Sequence, residues 1–537
     1  MNSQQLPDAS IAFRFPAETS IYFFLLILSA LFVSVNISQN IERSIQVMME
    51  PDKTDEGKPL LPDILGEQSA SQLLLSYTKP LVVPAITVGL LFSATALLFF
   101  AYPLLILRKV KQPAVVSQTL ASTKEYVSDI AVDFGAKVVV VFNSTLLSAN
   151  ARAFGTGLKN YIKLDAGLAL LKLKANDVFR AIVGHELGHV INKDIPKTYI
   201  AVVIWYSVAG LFVIPLFIIL AIVFLQGIFE KALPDGLDVS EIRKILTVNL
   251  PLLVKPLLQL LLLLMLIIFF RNRVLRSREI YADLRSADLG NRDGLLKLLN
   301  SDRSEKPGFM KRLLTFHPSS DERAKVVVNP LSLFRTDHLA SFFTGVLSAV
   351  IINASFFPLM NLTLLLSLLI FPEKDSSGSI GDMLRFFMAV LLPLSLVMII
   401  ALAFASLIAF SIGLQSMKQA YAAMLSGAIA GKRKADALVI PLIFTVGAEA
   451  GFLLQPFYNL SPSTPFQFLI AALTDVMLIA SLSLVIAYSG YAGRSLATAD
   501  LSMPAFGRKV KTTLALETLA VSFVWLMTVA VRIYMKV

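Results

Sequence analysis

The sequence predicts a mainly α-helical, polytopic membrane protein with a small α+β unit on one side of the bilayer. Three observations carry this. Hydrophobic residues make up 56% of the 537, and mean hydropathy is +0.71, far above an ordinary soluble domain. Apolar runs of eighteen or more residues recur along the chain. Between the second and third run the chain turns polar and mixes helical with β-branched patterns.

About nine runs are long enough to cross ~30 Å of hydrocarbon: 20–38, 81–107, 199–226, 245–270, 339–371, 383–411, 437–458, 464–491 and 512–534. The first is too long for a secretory signal, and lacks its basic start and small-residue cleavage site. The net charge of +11 does not form a nucleic-acid stripe. Its basic residues cluster beside the apolar runs, at Arg108, Lys109 and Lys111, at Arg271, Arg273, Arg276 and Arg278, at Lys432 to Lys434, and at Arg508, Lys509 and Lys511. That is the positive-inside pattern. It places 108–198, 271–338, 412–436 and 492–511 inside, and the acidic or neutral loops 39–80, 227–244 and 372–382 outside. Keeping 339–371 as one long span preserves this arrangement, because splitting it would put Lys432 to Lys434 outside. The chain contains no cysteine, which excludes disulfides and thiolate-held metals.

The polar stretch after the second run reads in order. Residues 115–131 fit a helix, and the β-branched run Lys137 to Phe142 fits a strand. Asn150 to Leu164 is extended with kinks at Gly155 and Gly157, and Asp165 to Leu171 begins another helix. Asn176 to Asp194 fits a helix that Asn176-Asp177 can cap, with apolar Val178, Ile182 and Leu187, and with Pro196 as the stop.

That last helix carries Gly184-His185-Glu186-Leu187-Gly188-His189, in a chain with only four histidines. Positions i and i+4 share a helix face, so two imidazoles can grip one zinc ion. Glu186 lies beside the ion, where a carboxylate can take a proton from metal-bound water. Such a site needs a third protein ligand. Ser277-Arg278-Glu279-Ile280-Tyr281-Ala282-Asp283 offers two carboxylates one helical turn apart. Glu279 can ligate while Asp283 fixes the tautomer of a ligating histidine. By themselves, acidic residues beside a basic run are usually solvated ion pairs. His338, at the start of the fifth run, reads as an interfacial residue.

Together these motifs resemble membrane-integrated gluzincin peptidases, the family of the heat-shock protease HtpX and the CAAX prenyl endoprotease. Asn150-Ala151-Arg152-Ala153-Phe154-Gly155-Thr156-Gly157 resembles the family's substrate strand, although Arg152 spreads its motif. His185 to His189 with Asp194 resembles the metal helix, Glu279 to Asp283 the third-ligand helix, and His317-Pro318-Ser319-Ser320-Asp321-Glu322-Arg323 the closing motif. The likeness covers about residues 20 to 330 and is nearest the HtpX branch; 339–537 is an added membrane domain.

The resemblance implies a membrane-integrated zinc peptidase module over 1–338, with its zincin-type catalytic parts 108–198 and 271–338 on the cytoplasmic side of a bacterial inner membrane. His185, His189 and Glu279 would hold one zinc ion, with Asp283 orienting a histidine. Glu186 would be general base and then proton donor to the leaving amine. His317 would steady the oxyanion, a role worth about 3–4 kcal/mol. Asn150 and Ala151 would pair with a protein or peptide substrate as an added strand. Arg323 would hold a substrate carbonyl or pair with a carboxylate. Lacking a prenyl-specific signature, the chain fits turnover of membrane-associated or misfolded proteins.

A different class remains open, a transporter or sensor with a silent peptidase module. Glu449, Asp475 and Glu517 lie within apolar runs, where carboxylates are functional candidates by default. A silent module would be expected to have lost a ligand or Glu186, and none is lost.

Overall fold

Long apolar stretches with few interior breakers form long helices, and helices dominate the computed structural model. It describes residues 8–49, 70–110, 118–143, 148–215, 218, 239–301, 315–335, 337–370, 392–426, 433–453, 465–499, 504–517 and 524. The first two helices are α1 (Glu18–Met49) and α2 (Ala70–Lys109). A short 3-10 turn, Ala9–Phe13, precedes α1.

The polar stretch then folds as α3 (Gln118–Asp133), β1 (Val139–Asn143), β2 (Ala151–Gly155), β3 (Asn160–Asp165), α4 (Ala166–Lys174) and α5 (Asn176–Ile191). The extended segment expected over 150–164 is a hairpin rather than one strand. Its turn closes through Thr156 N–H on Lys159 O at 3.2 Å, and Gly157 takes a φ of 87° there, which glycine adopts without strain. The sheet order is β1-β3-β2. β1 runs parallel to β3, with Val139 beside Tyr161, and β2 antiparallel, with Ala151 beside Leu164. Phe154, Ile162, Leu164, Leu168, Phe179, Val183 and Leu187 are fully buried between sheet and α5. At about 1.5–3 kcal/mol for each large side chain, this core fixes α5 on the sheet.

The ends of α5 differ from expectation. Ala175 is its N-cap and supplies no side-chain bond; Asp177 instead pairs with Lys297. Pro196 opens the next helix, α6 (Ile195–Val208), rather than stopping α5. The break comes earlier, where Lys193 adopts a left-handed φ of 55°.

Next is α7 (Val239–Ser286), 48 residues without interruption. At 1.5 Å per residue it is about 72 Å long, so it runs well beyond a bilayer and joins an expected span to the third-ligand motif. Helices α8 (Arg292–Ser301) and α9 (Ser320–Val328) close the polar unit.

The remaining chain is helical: α10 (His338–Ile370), α11 (Leu392–Leu425), α12 (Arg433–Leu453), α13 (Pro465–Thr498) and α14 (504–517). α10 lies along α12 and α11 along α13, while α10 also packs on α1, α2 and α7.

Among the described residues five helices are long and apolar enough to cross a membrane: Ala9–Gln39, Leu81–Lys109, Ile195–Val213, Leu258–Ser301 and Asp475–Thr498. They mark a membrane protein and fall on five of the expected runs. The run 339–371 forms a single helix, α10. The runs 383–411, 437–458 and 512–534 lie partly outside the described residues, as do the loops expected outside the membrane.

Candidate metal centre

Helix α5 presents His185 and His189 side by side, their ring centroids 4.8 Å apart. Helix α7 crosses directly over them. The crossing is close because position 188 is glycine: a Cβ there would lie 2.9 Å from Ala282 O and 3.1 Å from Ala282 Cα. One turn from Ala282, Glu279 therefore faces both imidazoles. Its Oε2 is 3.6 Å from His185 Nε2, and its Oε1 is 3.7 Å from His189 Nε2. One ligand atom from each of the three residues lies within 4.8 Å of the others.

These separations fit zinc. Bonds of about 2.0–2.1 Å in a tetrahedron hold ligand atoms ~3.4 Å apart, and each imidazole has one oxygen of Glu279, a different one for each, near that separation. The outer nitrogens are matched as well. His185 Nδ1 lies 2.8 Å from Asp283 Oδ1, and His189 Nδ1 lies 3.1 Å from Asp194 Oδ1. With each Nδ1–H donated to a carboxylate, both Nε2 lone pairs point at the centre. Burial alone pulls the His185 imidazole down, but the charge and hydrogen bond of Asp283, aided by Glu279, lift it to about 10.

A second layer holds the carboxylates. Arg323 grips Asp283 bidentately, Nε to Oδ2 at 2.6 Å and Nη2 to Oδ1 at 2.7 Å. The carboxylate pair, one of the two readings of Arg323, is present in this geometry. Arg278 Nε donates to Glu279 Oε1 at 2.9 Å, and its Nη1 donates to Thr198 Oγ1 at 2.6 Å. Arg276 pairs with Glu322 and Arg273 with Asp337. Three arginines of the cluster read from sequence as a topological signal thus also make ion pairs around the site.

Glu186 points to the sheet. Its Oε2 accepts the Ala153 N–H of β2 at 2.5 Å. β2 is an edge strand, so its open edge faces α5. Ala151 is paired with Leu164 across to β3, and the Asn150 carbonyl accepts the Asp165 N–H. His317 is an exposed residue at the rim, its Nδ1 3.9 Å from Glu279 Oε2. It borders a cavity of about 1070 Å³ whose walls include Glu18, Tyr22, Arg273, Ser277 and Gln415. His338 is exposed at the start of α10 and belongs to none of these contacts.

Sequence reasoning gave Asp194, Arg278 and Gly188 no separate roles. Asp194 carried a signal, a carboxylate five residues beyond a ligand at a helix end. Arg278 was masked by its neighbours of like charge. Gly188 is explained only by the backbone it lies against.

Residues 118–330 match the model of Peptidase family M48. The match supports a zinc metallopeptidase. The M48 segment begins with the first residue of α3 and ends just past α9, so it contains every residue of the metal centre and stops before α10. No curated protein and no solved structure matches the chain.

Proposed function

We propose that the chain is a zinc-dependent membrane endopeptidase of the HtpX-like branch. It would hydrolyse membrane-associated or misfolded proteins at the cytoplasmic face, with residues 339–537 as an added membrane domain. The observation that carries this reading is the convergence of His185, His189 and Glu279, the two imidazoles each steadied by a buried carboxylate, beside an edge strand that bonds the candidate base.

His185, His189 and Glu279 would hold zinc. Bound there, it supplies Lewis acidity and lowers the pKa of water at its open position. Glu186 receives the proton of the attacking water and returns it to the leaving amine nitrogen. A substrate backbone laid along the open edge of β2 lies between the sheet and α5, within reach of Glu186. Backbone pairing of this kind tolerates varied side chains, which suits turnover of many sequences. His317 donates to the oxygen on which charge develops. Asp283 and Asp194 keep the two imidazoles aimed, and Arg323 keeps Asp283 in place.

The test uses purified full-length protein. The expected result is one zinc per chain with casein hydrolysis, and for Glu186→Gln full zinc with hydrolysis lost. Zinc-loaded wild type that leaves casein and membrane substrates uncut would favour the silent module. The cytoplasmic placement predicts that Ser376→Cys is labelled from outside intact cells, while Lys159→Cys and Leu173→Cys react only after permeabilisation. External labelling of Leu173→Cys would reverse the orientation.

A further inference from the structure

The C-terminal helices supply no ligand, yet one of them carries a lysine that is only 1% exposed, Lys418 on α11. A buried ammonium is retained only where its donors are matched. Lys418 Nζ donates to Pro16 O at 2.9 Å and reaches Glu18 Oε1 at 3.5 Å, with the Phe334 ring on another side. Both polar partners belong to the segment leading into α1. Its neighbour Phe15, 3% exposed, meets Phe334, Tyr421 and Phe506 edge-on at 5.6, 5.2 and 5.2 Å. Arg14 donates to Tyr421 Oη at 3.2 Å. Residues 14–18 are therefore seated among α11, α14 and a second 3-10 turn, Pro330–Phe334.

The same segment grips α7. Ala9 and Ala12 pack with Ile280, Tyr281 and Leu284. Phe13 lies 6.1 Å from Tyr281, with the Arg285 guanidinium 3.5 Å from its centroid. Thr19 Oγ1 is 2.9 Å from Ser277 Oγ, and both residues are buried. On a helix, positions 277, 280, 281 and 284 form one face, and 279 and 283 fall on the opposite one. The helix bearing Glu279 is thus clasped between α5 on its ligand face and residues 9–19 on its back.

We propose that residues 9–19 are a brace through which the C-terminal helices hold Glu279 in register with the two histidines, with Lys418 and Phe15 as its positioning residues. This rests on the reading of α5 and α7 as zinc helices. It gives the added domain a part in assembling the metal centre while contributing no atom to it.

The experiment compares full-length Lys418→Met, Phe15→Ala and the milder Phe15→Leu with wild type. Two quantities are read, amide hydrogen exchange in the peptide covering 277–284 of the metal-free protein, and zinc Kd by chelator competition. Exchange should rise about tenfold, and Kd should weaken about tenfold, with Phe15→Leu intermediate. Leu482→Ala is the control. This fully buried α13 residue lies in a different core cluster from the brace, and the variant should leave both quantities unchanged. The brace is overturned if the three variants match wild type, or if Leu482→Ala shifts both readouts equally. Should wild type bind no zinc, the peptidase reading falls, and exchange over 277–284 alone decides the brace.

Discussion

Among the described residues, two of the close helix crossings, α5 with α7 and α10 with α12, differ in the use each makes of its close approach. Both use glycine against backbone. A Cβ at Gly345 would lie 2.1 Å from Phe444 O, and one at Gly447 would lie 2.1 Å from Phe342 O, much as Gly188 meets Ala282. At α5 and α7 the contact is joined by directed bonds: His185 to Asp283, and Ser286 Oγ to Ala181 O at 3.0 Å. Arg278 and Arg323 then hold the carboxylates from behind. Packing sets how near two helices lie. Hydrogen bonds and ion pairs set their rotation and register, and a metal site needs these to within about 0.5 Å.

The contrast breaks first at the ligands. His185→Ala, His189→Ala and Glu279→Ala should each lower bound zinc and abolish cleavage. Glu186→Gln should slow cleavage by at least 10² to 10⁴, roughly the contribution of a positioned acid–base group, with zinc retained by mass spectrometry of the metal. Full zinc and activity in Glu279→Ala would remove α7 from the site.

The next effect lies in the outer layer. Asp283→Asn and Asp194→Asn should weaken zinc about 10- to 100-fold, read by chelator competition. Unchanged affinity in both would reduce the directed bonds to bystanders.

Glycine replacement sharpens the comparison. Gly188→Ala and Gly447→Ala both force overpacking, at about 1–3 kcal/mol, and both should lower the thermal midpoint. Only Gly188→Ala should also weaken zinc. Equal loss of affinity in Gly447→Ala would show that the two crossings are not separable.

The smallest effect is at the far end of α5. The hydrogen bond from Lys297 holds the Asp177 carboxyl below its usual value. A lowered carboxylate contributes above its unfolded pKa near 4, and the contribution fades as pH falls through the lower folded value. The pair is exposed, so Asp177→Asn should move the midpoint by about 1 °C or less at pH 7. A larger shift would give this end of the helix a role the geometry does not.

The site was legible where chemistry fixes a local spacing. His185 and His189 must be four apart on a helix, and Glu279 and Asp283 one turn apart, so both pairs could be read without coordinates. What could not be read depends on contacts between distant segments. Arg278 looks like any basic residue flanking a span until its partner is known. The hairpin over 151–165 was missed because its strands share one extended pattern, and only the turn at Gly157 separates them. The brace was invisible because Phe15 and Lys418 are 403 positions apart and neither belongs to a motif. Long helices were plain from their apolar length, but how far α7 continues into the polar unit was not, since nothing in its sequence stops it at residue 270.

Lys193 and Asp194 show a different economy. A lysine at positive φ sacrifices about 1–2 kcal/mol of backbone comfort. Asp194, at the N-cap of α6 with φ −97° and ψ −10°, makes no capping bond, forgoing about 1 kcal/mol that such a residue usually gives a helix. Its carboxylate turns back to His189 instead. On the proposed zinc reading the fold at this boundary is frustrated in favour of chemistry, and a chain selected for thermal endurance alone would relax both residues. The two concessions are separable. Glycine at 193 should raise the melting temperature and leave catalysis intact, whereas at 194 endurance and catalysis compete for the same side chain.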